Sequence, residues 1–307
     1  MQADAEEATT ATEAVEDQPV QPAQEETGPL GQEVGDVPDP IPQPAPPQQP
    51  SYVYALGQID ARYPSLGVEK EVAQVASLLE THGLNERQVL KKVISDEKNR
   101  YLVRQLCWLF LVGGLETYIL VPRDPRDYEL LASAYREYPS GDDIDAVIGT
   151  RGPIAPPDVC NGVSVPMVAV DQLYSFERET LVKAIPRPDS IPEDREQQFR
   201  QAAGGVFGTI MHMADNAGAT DEHRALNYLA VRSPEIYAAA AEAHDRDASL
   251  TSVEARPSQL SGVRHVVEVV FSFTDRKTDV VDKKFVRVDV TEEYPFLVTK
   301  LSPYFDR

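Results

Sequence analysis

The sequence predicts an α+β fold, a helical bundle region packed against an antiparallel sheet with long Pro/Gly loops, and three observations carry that prediction. Apolar residues between Arg195 and His244 recur at helical spacing. From Val267 to Val290 they alternate with the period of a strand. Between Pro122 and Pro157, prolines recur so often that the chain is broken into pieces too short for long elements.

The first 50 residues carry 11 acidic side chains, no lysine or arginine, and 10 of the 25 prolines. Such a segment has too little apolar surface to offset the entropy of ordering, so residues 1–50 are expected to be a disordered acidic tail and residues 51–307 the folded domain. Tyr52–Ile59 alternates and predicts a strand. Ser65 then caps a helix whose face is Val68, Val72, Val75 and Leu79, with Gly83 as its stop. Asn85 and Gln88 have the spacing of a capping box and open a second helix ending near Asp96. Tyr101–Val112 is apolar nearly all round. It reads either as a buried helix or, with Glu116–Val121, as a helix-to-strand unit broken at Gly113 and Gly114.

Tyr128–Tyr135 is the one helical stretch in the Pro-rich middle, which otherwise reads as loop with short strands. Regular structure resumes at Val165–Val170, and Tyr174–Ile185 is expected to be helical. Three helices follow, over Arg195–Ala214, Asp221–Arg232 and Pro234–His244. Thr220 or Asp221 caps the second and Ser233 the third, where Pro234 occupies the tolerated first position. Gly204 and Gly205 are expected to permit close helix packing. Val267–Phe273 and Phe285–Val290 pair as strands, and Tyr294–Thr299 supplies a third.

The chain has a formal charge of −21, to which the first 50 residues contribute 11 of the negative charges. A field of that sign repels phosphate backbones and anionic headgroups, so neither nucleic acid nor a membrane is an expected partner. The longest apolar stretch, Leu106–Gly114, is too short to span about 30 Å of hydrocarbon. Nothing near Met1 has the order of a secretory signal and there are only two cysteines, which makes the cytoplasm the expected location. Cys107 reads as core, and Cys160, in the polar Asp158–Gly162 loop, as the more exposed thiol. The sequence contains no C-x-x-C, H-E-x-x-H or P-loop motif, so no cofactor is expected. A zinc ion, if one were held, would draw on Cys160 and His212.

Three stretches are distinctive: Tyr52–Val72 (YVYALGQIDARYPSLGVEKEV), Asp215–Tyr237 (DNAGATDEHRALNYLAVRSPEIY) and Val281–Arg307, ending EEYPFLVTKLSPYFDR. They resemble the C-terminal domain of unknown function carried by the cyanobactin maturation proteases of the PatA/PatG family, over nearly all of residues 51–307. The resemblance implies that domain standing alone, without the subtilisin-like protease to which it is joined in the family. Gly208–Ala214 has the outline of the sequence around a subtilisin nucleophile, but Ile210 stands at the serine position and holds no nucleophilic atom. The implied role is a non-catalytic accessory module in the biosynthesis of ribosomally made, post-translationally modified peptides. Its partner would be a precursor peptide, a biosynthetic partner protein or a second copy of itself in a homo-oligomer. Two alternatives stay open, an uncharacterised peptide-modifying enzyme and a purely structural dimerisation domain.

The richest polar run in the helical region gives the candidate site: Asp221, Glu222, His223, Arg224 and Asn227. In one reading Asp221 or Glu222 works with His223 as an acid/base pair beside Asn227, and Arg224 holds a peptide carboxylate. In the other, Asn216 and Gly218 make a turn, Thr220 or Asp221 caps the helix, and Arg224 pairs with a carboxylate of the chain itself. Adjacent helical residues diverge by about 100°, whereas His223 and Asn227, four apart, share a face.

Overall fold

The computed structural model describes residues 51–305 apart from 186, 188–190 and 213–215. The chain divides into two units, Met1–Gln48 and Gln49–Arg307. The tail expected over residues 1–50 lies outside the described residues.

The alternation from Tyr52 builds β1 (Ser51–Arg62), which runs past Ile59. Helices α1 (Leu66–Ala76), α2 (Glu86–Ile94) and α3 (Arg100–Gln105) follow. Ser65 accepts the Val68 N–H, and both bonds of the Asn85/Gln88 capping box form. The first helix stops at Ala76, and Gly83 lies beyond it in a turn with φ of +79°. The ambiguous apolar run resolves into α3 and then β2 (Cys107–Val112), joined through Gly113 and Gly114, both at positive φ, to β3 (Leu115–Pro122). Helix α4 (Asp127–Ala134) falls where Tyr128–Tyr135 places it.

Two expectations are corrected here. The Pro-rich middle holds a 12-residue strand, β4 (Asp143–Ile154), and Tyr174–Ile185 is not one helix, because β5 (Pro166–Glu177) runs through its first part before α5 (Arg178–Ala184). The cause is long-range. Tyr174 to Glu177 pair with Asp143 to Ala146, and a ladder of that length overrides a local helical spacing.

These strands close a barrel in the order β1-β2-β3-β5-β4 and back to β1. Only β3 and β5 run parallel. With α4 between β3 and β4, this is the topology of an OB barrel. Its inward-facing residues, among them Val53, Trp108, Phe110 and Val168, share one core with α1 to α4. On the outward face of β2 and β3, Leu109 and Ile119 pack beneath Ala155 and Val163 of the β4–β5 loop. A disulfide between Cys107 and Cys160 ties that loop down, with their Cα atoms 5.7 Å apart. Cys160 is fully buried, which corrects the expectation of an exposed thiol; the linking partner lies 53 residues away and no local pattern marks it.

The second half begins with α6 (Glu196–Met211), α7 (Asp221–Arg232) and α8 (Pro234–Asp245), within two residues of the expected bounds where those are described. A Cβ added at Gly204 or Gly205 would meet nothing within 4 Å, so these glycines do not mark a close helix approach. Strands β6 (Ala248–Pro257), β7 (Val266–Asp275) and β8 (Val281–Asp289) form a meander, of which β6 is not among the strands expected from the sequence. The strand expected over Tyr294–Thr299 is only β9 (Phe296–Leu297), and β10 (Ser302–Pro303) pairs with β8 beyond it. One face of β7, with Val267, Val269, Phe271 and Phe273, packs in a single core with α6 to α8 and with the outer barrel residues Tyr54, Leu56 and Ile144. Among the described residues no helix is long and apolar enough to cross a membrane.

Strand β1 changes neighbours along its length, pairing with β4 from Ser51 to Gly57 and with β2 from Gln58 to Arg62. Each half therefore leaves one edge for other groups to complete. At the second half, fully buried Asp145 accepts the Ile59 N–H at 2.9 Å while Arg136 and Ser175 hold both its oxygens. The first half is completed by the segment leading into α7.

Candidate functional site

Gly218, with φ of +71°, brings its carbonyl to 2.9 Å from the Tyr54 N–H of β1. A Cβ there would lie 2.2 Å from the Tyr54 carbonyl oxygen, so only glycine admits this approach. Asn227 donates to that same carbonyl at 2.8 Å, and its amide exchanges two hydrogen bonds with Asn216, at 2.7 and 3.1 Å. The Tyr118 hydroxyl donates to the Ala217 carbonyl at 2.8 Å. Gly218 and Asn227 thus satisfy the unpaired edge of β1. Asn227 is fully buried, and its hydrogen bonds run to Asn216 and Tyr54, so it offers no group to a ligand beside His223.

Thr220, not Asp221, caps α7, its hydroxyl accepting the His223 N–H at 3.2 Å. Asp221 reaches His265 Nδ1 at 2.7 Å and lies 3.7 Å from Arg224 Nη1. Arg224 is buried and donates to the main-chain carbonyls of Val290, Glu292 and Glu293, with its guanidinium 5.3 Å above the Tyr52 ring. Of the five residues singled out, the structure therefore joins Asp221 to Arg224 and commits Arg224 and Asn227 to the main chain of other elements. Glu222 and His223 lie half-buried at the first turn of the helix.

Arg224 ends near a pair that nothing in the sequence brings together. The Glu293 carboxyl is pushed up to about 7, first by burial and then by the hydrogen bond and charge of Asp171 on β5. Arg123 holds Asp171 from the other side at 2.9 Å. Glu293 Oε1 and Asp171 Oδ2 are buried and meet no donor among the described residues, and a proton shared between the two carboxyls would satisfy both.

The outer face of the C-terminal sheet carries a different arrangement. Arg256, Glu268 and Arg287 stand directly opposite one another on β6, β7 and β8. Arg256 Nη2 reaches Glu268 Oε1 at 3.0 Å and Arg287 Nη2 reaches Oε2 at 2.7 Å. The Arg287 guanidinium lies over the Phe285 ring at 4.7 Å, while Arg256 Nη2 also donates to the Tyr304 hydroxyl. This row floors a groove of about 650 Å³ whose rim includes the exposed side chains of Leu260 and Phe305.

Neither of the residues considered for zinc is placed to work with the other. The Cys160 sulfur is bonded to Cys107, and His212 is exposed at the end of α6 with Nδ1 2.7 Å from the Gly208 carbonyl. Among the described residues no three His, Cys, Asp or Glu side chains converge as a metal site. Ile210, at the position of a subtilisin serine, is fully buried.

Residues 193–304 match the family model described as PatG C-terminal. A solved structure described as the PatG Domain of Unknown Function aligns at a TM-score of 0.65 and 19% identity, over 83% of this chain and 98% of that one. No curated protein matches the chain. At that identity the structural match speaks for the fold, and it extends the likeness well beyond the residues that the family model covers. Residues 193–304 are thus PatG C-terminal-like in sequence, and the chain shares the fold of the PatG domain of unknown function.

Proposed function

We propose that this chain is a non-catalytic accessory module that binds a precursor peptide or a partner protein in the biosynthesis of ribosomally made, modified peptides. The groove on the outer sheet face carries the reading, because it combines charged donors, aromatic side chains and an exposed apolar rim in a volume that suits a short peptide segment. The main-chain bonds of Arg224 and Asn227 support it further, since two of the residues that a catalytic reading would use are committed to architecture. Charge speaks against a nucleic-acid partner, as does the disulfide-tied β4–β5 loop, which covers the β2–β3 face where OB barrels take up oligonucleotides. A cytoplasmic location is proposed together with a Cys107–Cys160 disulfide shielded by burial, because exposed disulfides do not persist in a reducing pool.

The test is to titrate a labelled precursor peptide from the same biosynthetic cluster against the chain by fluorescence anisotropy, and to weigh the peptide afterwards. Saturable binding with unchanged peptide mass is expected. A mass change that His223→Ala abolishes without unfolding the chain would establish the enzyme reading. Absence of binding together with concentration-dependent dimerisation would favour the structural one.

A further inference from the structure

We infer that the groove over β6, β7 and β8 is a carboxylate-reading site, selecting a peptide in which a carboxylate lies beside a large apolar side chain. This inference rests on the binding-module reading and names what the module reads. A cross-strand ion pair needs one cation for each anion, and here two guanidiniums share the single carboxylate of Glu268. The groove floor is therefore cationic, in a chain whose overall charge is −21. Each guanidinium directs one terminal nitrogen at Glu268, and Arg256 remains half-exposed, its side chain at 47%.

Contacts with the neighbouring aromatic side chains fix how these cations can be used. Arg287 has one face covered by Phe285, and Arg256, half-exposed and anchored through Nη2 to Glu268 and the Tyr304 hydroxyl, keeps its other N–H groups open to the groove, where a guanidinium edge binds carboxylate oxygens. Leu260 and Phe305, 69% and 80% exposed on the rim, offer apolar surface within the same groove. A ligand that satisfies both has its carboxylate and its apolar side chain on one residue or on adjacent residues. Two sources share that chemistry, the α-carboxylate of a peptide ending in an apolar residue and an internal Asp or Glu next to one.

Three acetylated probes separate them: Ala-Ala-Leu-Phe as the free acid, the same peptide as its amide, and Ala-Glu-Phe-Ala as its amide. Each is titrated against the ¹⁵N-labelled full chain while the arginine Nε–Hε signals are followed. One or both carboxylate probes should shift the Arg256 and Arg287 signals, at least about 10-fold tighter than the probe without a carboxylate, the scale of one charge-assisted hydrogen bond. The tighter of the two identifies the source. Arg256→Gln should weaken binding at least about 10-fold, and Glu268→Gln, which removes the internal competitor, should strengthen it. A circular-dichroism melt checks that each variant is folded. If the neutral probe binds as tightly as the acids, or if Glu268→Gln weakens binding, the carboxylate inference is overturned while the module reading stands. It is overturned in the same way if the precursor binds but no probe moves either arginine signal. If neither the probes nor the precursor bind, both fail.

Discussion

The segment leading into α7 and the outer face of the C-terminal sheet are both dense in polar side chains, yet their hydrogen bonds go to opposite kinds of partner. Around α7, Asn227 and Arg224 are buried and point at backbone carbonyls of β1 and of residues 290–293. On the sheet, Arg256 and Arg287 are directed at a side chain, and the groove above them is open. Buried polar groups that answer unpaired backbone are architecture, because the fold loses them only by leaving a donor or acceptor unsatisfied. The two arginines of the row, in excess over their one counter-ion, answer no unpaired backbone group. Polar density alone therefore does not find a binding site; the destination of each hydrogen bond does.

The sharpest way to break this comparison is at Gly218. Gly218→Ala forces an L-residue to positive φ and drives a Cβ into the Tyr54 carbonyl, so we expect a loss of about 2–5 kcal/mol in urea unfolding, from backbone strain and overpacking combined. A variant as stable as wild type would mean that the segment does not dock on β1. Asn227→Ala should follow at about 1–3 kcal/mol, because it strips the donor from the Tyr54 carbonyl and the partner from Asn216 in a buried setting.

The comparison also predicts a pH dependence at the edge of the α7 network. The folded state holds the Glu293 proton up to about pH 7, above the ordinary value of 4.5. Between these values the folded chain binds more protons than the unfolded one, so this contribution is complete below the lower value and is lost as pH rises through the upper. The wild-type melting temperature should fall across that window relative to Glu293→Gln, which mimics the protonated form. Parallel curves for the two proteins would rule out a shared proton between Glu293 and Asp171.

What the sequence shows of this molecule is local. The Ser65 cap, the Asn85/Gln88 box, Pro234 at the first turn of α8 and the alternation of β7 all depend on neighbours within a few residues, and each can be read directly. The barrel is not legible, because its closure pairs β1 with β4 and its one parallel contact joins β3 to β5, and neither leaves a mark at short spacing. For the same reason Tyr174–Glu177 reads as helix and is strand. Within the candidate site, Thr220 as a cap is readable from its place before the apolar run. The role of Asn227 is not, since its partner Tyr54 lies 173 residues away. The groove escapes a sequence reading because β6 lacks a clear alternation, and without β6 the arginine row has only one of its two cations.

The smallest expected effect is the one that most sharpens the contrast. Arg256→Ala removes a half-exposed side chain from an ion pair whose other partner, Glu268, keeps Arg287 at 2.7 Å. Exposed pairs contribute about 0–1 kcal/mol, so the unfolding free energy should change by less than about 1 kcal/mol, well below the loss expected for Asn227→Ala. Measured side by side in the same urea titration, the two variants ask whether the row and the α7 network differ in kind. If Arg256→Ala proves as damaging as Asn227→Ala, the row is holding the sheet together, its arginines are architecture like Arg224, and the groove loses its claim to be a place where something else binds. If the fold is indifferent to Arg256, no structural need accounts for a second cation on Glu268, and the excess charge is left for a ligand to neutralise.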